Sequence, residues 1–330
     1  MHTRSTFLTL RVITSLHAGA GSDNGLVDLP IQREVVTGYP KIEASTLKGA
    51  LRSRLEQLGA CPLKIHLAFG YDERSDYEVN ESFSDDGDAN SYAQFFTGAL
   101  TFTDARLLAF PVRSMKGVFA LTTCPYVLRR LAEDAELLAG IALGDALKSV
   151  KVEDDKCLGD SNSPLIFLND KKRVILEEYP FEHTPIPSEV ISALSRLIPG
   201  DLTRLVILSD DVFADFTQLF TERVTRNAID DKTGTVKEGA LFTEEYLPPE
   251  TLLYSIVLAD KPRQPEAQGD DQHQGSQRKA LPNDFNTAED VLKFFKTEGW
   301  KGQTRRFLQL GANASIGKGI VELLFNEEKQ

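Results

Sequence analysis

The sequence predicts an α+β fold: a sheet with antiparallel pairing among its strands and helices on one face, of ferredoxin-like type. Two patterns carry this. Thr6–Thr14 alternates with a period of two and Thr251–Leu258 is a run of strand formers, while amphipathic helical stretches separate such segments. The links around Asp231-Lys232-Thr233-Gly234 and Gly311–Gly319 are short and glycine-bearing, which suits hairpins. With 330 residues, 41% of them hydrophobic, the chain can bury a sizeable core and is long enough for one elaborated domain or two small ones.

Along the chain, Leu8, Leu10 and Val12 form one face of the first strand, with Thr9 and Arg11 on the other. Ser45 is placed to cap a helix over Ser45–Leu58 with Leu47, Leu51, Leu55 and Leu58 as its stripe. Tyr71–Asn90 is acidic and turn-rich, an exposed loop. Ala99–Phe110 reads as a strand, and Pro125–Leu138 as a helix turning Val127, Leu128, Leu131 and Leu138 inward. A short strand at Val174–Leu176, a helix at Ser188–Leu197, a buried strand at Leu205–Leu208 and a helix over Phe213–Phe220 follow. Arg223–Tyr246 is a hairpin with Gly234 near its bend. Lys261–Asn283 lacks large apolar residues and is expected to be disordered. Thr287 and Asp290 form a capping box opening a helix to about Thr297, and strands Phe307–Leu310 and Ile320–Phe325 close the chain.

The net charge of −12 argues against indiscriminate nucleic-acid binding but leaves room for a local cationic groove. Cys61, Cys124 and Cys157 are far apart and form no CxxC, as expected of thiols in a reducing cytoplasm. No apolar run approaches the roughly 20 residues of a membrane span, and the N-terminus lacks a signal-peptide core.

Leu16–Arg52 concentrates the chemistry. Gly19, Gly21 and Gly25 allow a ligand to approach the backbone closely. Asp28 follows as a carboxylate held before the rigid Leu29-Pro30, and Lys48 and Arg52 share one helix face. A flexible cradle, one carboxylate and a cationic helix suit a phosphodiester. Arg113, Lys116, Arg223 and Arg226 extend the candidate groove, although each pair alone also fits the wet side of its element. Asp28 could equally accept hydrogen bonds within its own turn, and His17 at a strand end could be a packing residue or a base. Gly311–Gly319 fails the P-loop pattern at Ala312 and Gly319, yet Gly317 and Lys318 could offer backbone N–H groups to a phosphate. No HExxH, paired His ligands or Ser-His-Asp order is present, so hydrolase and metalloprotease readings lack support.

At LHAGAGSDNGLVDLPIQREVVTGYP and STLKGALR the sequence resembles the backbone RAMP subunit of type III-B CRISPR effector complexes, the fourth subunit of the Cmr module. The resemblance recurs at Phe95–Ala120, Arg223–Leu253 and Leu308–Leu323, a little over a third of the chain, and VDLPIQRE is its most specific block. It implies a modified RRM-like (ferredoxin-like) RAMP palm with inserted helices and a protruding β-hairpin thumb, here Arg223–Tyr246. It also implies head-to-tail copies stacked along a CRISPR guide RNA beside other Cmr-complex subunits, with base pairing selecting the target RNA. The guide would lie against His17, Gly19, Gly21, Arg33, Ser45, Lys48, Arg52, Arg113, Lys116, Arg223, Arg226, Gly317 and Lys318. The thumb would splay out target nucleotides at a fixed interval, and Asp28 would cut beside each one with Mg²⁺ or another divalent cation. An aspartate, ionised at neutral pH, can accept a proton from a 2′-hydroxyl or hold a cation through one oxygen. Two alternatives stay open: a non-catalytic guide-coating scaffold, and a metal-independent guide-processing nuclease with His17 as base.

Overall fold

Four strands frame the molecule: β1 (Arg4–Val12), β4 (Ala105–Arg113), β13 (Leu252–Ala259) and β15 (Ile320–Phe325). They lie in the order β15-β1-β13-β4, each antiparallel to its neighbours. Helix α1 (Ala44–Gln57) follows β1, and α6 (Ala288–Lys296) connects β13 towards β15, so the ferredoxin-like order predicted from the sequence is present. The computed structural model describes residues 4–23, 25, 27–70, 97–168, 172–198, 200–230, 232–237, 240–263 and 282–325. The expected loops at 71–90 and, but for residues 261–263 and 282–283, at 261–283 lie outside the described residues.

The sheet grows on both sides of this frame. On one side β14 (Arg306–Gln309) pairs with β15. On the other come β5 (Phe119–Thr123), β10 (Leu205–Ile207), β6 (Lys156–Gly159), β9 (Tyr179–Pro185), β8 (Lys172–Leu176) and β7 (Phe167–Leu168). Two short strands, β2 (Lys41–Ile42) and β3 (Leu100–Phe102), pair with β4 and β13.

Side-chain alternation along β1 shows that helices cover both faces, not one as expected. Leu8 sits opposite Phe325, whose ring meets Phe295 of α6 at 5.3 Å. The next residues point the other way. Phe7 stacks on Tyr254 at 5.4 Å, and the Tyr254 hydroxyl donates to Asp134 of α3 (Pro125–Ala139) at 2.7 Å. Phe7, Thr9 and Tyr254 are accordingly buried along with Leu8 and Leu10. A strand whose sequence alternates apolar with polar is thus buried on both sides, because Thr9 donates its hydroxyl to Leu197 O (2.9 Å) instead of meeting water.

Local departures have identifiable causes. The strand expected at Ala99–Phe110 breaks into β3 and β4 at Thr103-Asp104. There Asp104 Oδ1 accepts the Ala44 N–H at 2.9 Å, doing the capping expected of Ser45; the N-cap residue is Glu43, and Ser45 lies exposed in the first turn. Leu138 reaches solvent at the end of α3, where the chain leaves the sheet. The capping box of α6 forms between Thr287 and Asp290. The short helix α2 (Pro62–Phe69), opened by its proline, packs against α1.

Between β10 and β13 lie α5 (Asp210–Leu219) and a separate two-stranded ribbon, β11 (Glu222–Arg226) with β12 (Phe242–Tyr246), in register from Glu222 opposite Tyr246 to Arg226 opposite Phe242. The ribbon continues through an Ile229–Val236 bridge. At its tip Asp230 Oδ1 accepts the Lys232 N–H (2.8 Å), and Gly234 takes φ +66°.

Phe295 joins Phe69, Phe102 and Phe325 in one aromatic cluster. Phe295→Ala is expected to lower unfolding free energy by about 3–5 kcal/mol, read as a fall in urea midpoint at constant m-value.

Candidate nucleic-acid interface

Residues 28–31 run beside β12 like a short extra strand. Leu29 N–H donates to Thr243 O, and Glu245 N–H donates to Leu29 O, both at 3.0 Å. Thr243 N–H in turn donates to Asp28 Oδ2 at 2.7 Å, fixing one oxygen of an exposed carboxylate at the root of the hairpin. The ladder stops after Leu29 because the next acceptor on β12, Glu245 O, is taken by His17 Nδ1 at 2.7 Å, while Pro30 faces the other way, its carbonyl accepting the Ala20 N–H at 2.9 Å.

Two adjacent acids of β12 face opposite ways and are both buried. Glu244 bonds Arg226 Nε at 2.6 Å and accepts the Tyr246 hydroxyl and Asn313 Nδ2. Glu245 takes Arg33 Nη2 at 2.5 Å, Thr221 Oγ1 at 2.7 Å and Ile31 N–H at 3.1 Å. Burial alone would push both acids up. The hydrogen bonds from Tyr246 and Asn313 with the Arg226 charge outweigh it at Glu244, and the Arg33 charge with the Thr221 hydroxyl outweighs it at Glu245. Both acids therefore sit below the ordinary carboxylate range. Burial, then the Glu244 carboxylate, pushes Tyr246 up to about 12.

The glycine loop closes against this cluster. A Cβ on Gly311 would stand 2.1 Å from His17 O, so only glycine allows the approach. The N–H groups of Gly317, Lys318 and Gly319 are bonded to Ala314 O, Asn313 O and Ser15 O. The expectation that they await a phosphate is therefore corrected. Lys318 instead brings its ammonium over the Tyr246 ring, 4.9 Å from the centroid.

The other expected contacts divide into three places. His17, Gly19, Arg33, Arg226 and Lys318 gather at the hairpin root. His17 follows its packing alternative: it is buried, its Nδ1 lies 2.7 Å from Glu245 O, and its ring packs on Tyr246 at 5.5 Å. Gly21 is exposed at φ +103° in the loop leading to Asp28, and Arg223 is exposed with Nη2 on Gln218 O. Lys48 and Arg52 turn in to Leu100 O (3.0 Å) and Gly70 O (2.8 Å). Burial, and the neighbouring Arg52 charge, hold Lys48 below its usual range. Arg113 pairs with Glu177 (2.9 Å) and Lys116 bonds Ile166 O (2.5 Å), at the outer strands. Among the described residues, main-chain carbonyls and acids hold most of these cationic heads. Sequence reasoning missed Glu244, Glu245, Tyr246 and Asn313; the paired acids in a strand were the available signal.

The RAMP superfamily model matches residues 9–322. The chain is 34% identical to the CRISPR system Cmr endoribonuclease Cmr4 of Pyrococcus furiosus, over 96% of this chain and 94% of that protein. The chain belongs to the RAMP superfamily and, within it, to the Cmr4 family. A Cmr4 subunit of Saccharolobus solfataricus is 28% identical over 95% and 94% of the two chains. Among solved structures, oligomeric Cmr4 from Pyrococcus furiosus aligns at TM-score 0.66 and 25% identity, covering 99% of this chain and 100% of that one. A chain of the type III-B Cmr-beta complex bound to cognate target RNA aligns at TM-score 0.69 and 24% identity, covering 98% of each, and supports the palm fold. Among the described residues no helix is long and apolar enough to cross a membrane.

Because Glu244 and Glu245 sit low when folded, the stability they contribute is complete above the usual carboxylate value of about 4.3 and is lost as pH falls through their folded values. Glu244→Gln is expected to cost about 2 kcal/mol at pH 7. The gap to wild type should narrow as melts are recorded at pH values falling below about 4.3.

Proposed function

We propose that this chain is a guide-binding backbone subunit of a type III-B effector complex, stacking with copies of itself and other Cmr subunits, and that Asp28 cuts the target RNA. The observation that carries the reading is the placement of Asp28: exposed, held by the hairpin's own backbone, in a chain of the Cmr4 family. The hairpin leaves Val224, Ile229, Val236 and Leu241 exposed. Such apolar side chains suit a wedge between stacked bases, with Arg223 beside them for a phosphate.

Splaying one nucleotide brings its 2′-oxygen into line with the adjacent phosphorus, which a stacked A-form duplex prevents. Asp28, with Oδ2 held by Thr243 N–H, accepts the 2′-hydroxyl proton. The 2′-oxygen then forms the new bond to phosphorus as the bond to the 5′-oxygen breaks, and that oxygen takes a proton from water. The products are a 2′,3′-cyclic phosphate and a 5′-hydroxyl.

Among the described residues no three His, Cys, Asp or Glu side chains gather to hold a metal. A lone carboxylate still fits Mg²⁺ when RNA phosphates and water complete the shell, as this ion prefers. In that setting Asp28 would be the protein's own ligand, and the ion would supply charge stabilisation at the phosphate.

In the assembled complex with end-labelled complementary RNA, Asp28→Ala is expected to retain target binding within about twofold and to lose cleavage by about a hundredfold or more. EDTA should abolish wild-type cleavage. Unchanged cutting by the variant would leave the chain a scaffold, and cutting that survives EDTA would remove the metal.

A further inference from the structure

The backbone ladder that seats Asp28 is one residue long. It ends because the Glu245 carbonyl that would continue it is taken by His17 Nδ1 at 2.7 Å, and the next donor, Ile31 N–H, finds the Glu245 side chain instead, at 3.1 Å from Oε2. The other oxygen, Oε1, takes Arg33 Nη2 at 2.5 Å and Thr221 Oγ1 at 2.7 Å. Arg33 reaches further with Nη1, to Gly38 O at 2.8 Å and Thr217 O at 3.2 Å. One carboxylate, only 6% exposed, therefore ties together the Asp28 segment, the end of α5, the entry to β11 and the body of β12. Asp28 lies exposed three residues before Ile31, with Oδ2 held by Thr243 N–H and its carbonyl accepting the Asp23 N–H, so the Glu245 tie sets where this short held segment leaves β12.

We infer that Glu245 is a positioning residue for Asp28: it fixes the reach of that carboxylate relative to the hairpin that holds the RNA open. Glu245 itself is buried and touches no substrate. Its effect passes through the Ile31 N–H and Arg33. Both oxygens are occupied by donors, so a glutamine here must aim its NH₂ at either Ile31 N–H or the Arg33–Thr221 pair, and one side of the tie opens. The side chain remains the same size, so packing is retained while placement is lost. Displacing a catalytic group by about 1 Å can reduce rate by about a hundredfold without weakening binding.

The inference rests on the reading of Asp28 as the cutting residue, and the test separates the two. Assembled complexes carrying wild type, Glu245→Gln, Glu245→Ala or Asp28→Asn are compared by single-turnover cleavage of end-labelled complementary RNA, by target-RNA Kd, and by mapping the cut positions. Glu245→Gln is expected to slow cleavage by about tenfold to a hundredfold. Its Kd should stay within about twofold of wild type, and its cuts should spread to neighbouring phosphodiesters. Spread cutting is the signature of a displaced carboxylate; a general loss of structure would instead lower binding and rate together at unchanged positions. Wild-type rate and cut positions in Glu245→Gln overturn the inference, as does a parallel loss of Kd and rate. If Glu245→Ala fails to assemble, the isosteric Glu245→Gln still decides. Should Asp28→Asn cut normally, the underlying reading fails; should Asp28→Asn be inactive while Glu245→Gln behaves as wild type, only the positioning role fails.

Discussion

The seam between residues 28–33 and β12 is the constraint on which the site depends. It joins a loop segment from the N-terminal quarter of the chain to a hairpin more than two hundred residues later, and does so with few bonds: a one-residue ladder, a carboxylate anchored by Thr243, and the buried Glu245. Low exposure strengthens the Glu245 contacts, because the same charges in water would lose most of their attraction. It also makes them interdependent, since removing Arg33 leaves Glu245 buried without its counter-charge.

Seen this way, much of the site's polar chemistry is structural. Arg33, Arg226, Lys48 and Arg52 all carry positive charge that a sequence reading gives to RNA, and all are bonded to carbonyls or acids of the chain itself. A net charge of −12 fits this arrangement. The acids are not only a solvated coat; several are internal partners that fix where the cations point. On the proposed reading, attraction for RNA then rests on the exposed heads, Arg223 among them, rather than on a broad field.

The frame of the fold was legible because its elements are long and periodic. The apolar stripe Leu47, Leu51, Leu55 yields α1, the strand formers of Thr251–Leu258 yield β13, and Thr287 with Asp290 opens α6. The small outer strands β5–β9 were largely illegible, being short and mixed in polarity, stabilised by neighbours far off in sequence. Thr9 shows the same limit: a polar residue in an alternating strand reads as wet unless a distant carbonyl such as Leu197 O is known. At the site, the Leu-Pro step announced that Asp28 is held, but not by what. Glu244 and Glu245 read as the polar part of a hairpin, and only the covering of both sides of β12 turns them into buried anchors.

Helix α3, lying across the face of Phe7, Thr9 and Tyr254, has one more consequence. RNA-recognition modules of the same strand order leave that kind of surface open and stack bases on its aromatics to read a sequence. Here the platform is roofed over, its aromatic rings turned to internal packing. Base stacking on this face is thereby closed off, which accords with the proposed reading, in which a paired strand of nucleic acid and not the protein selects the sequence.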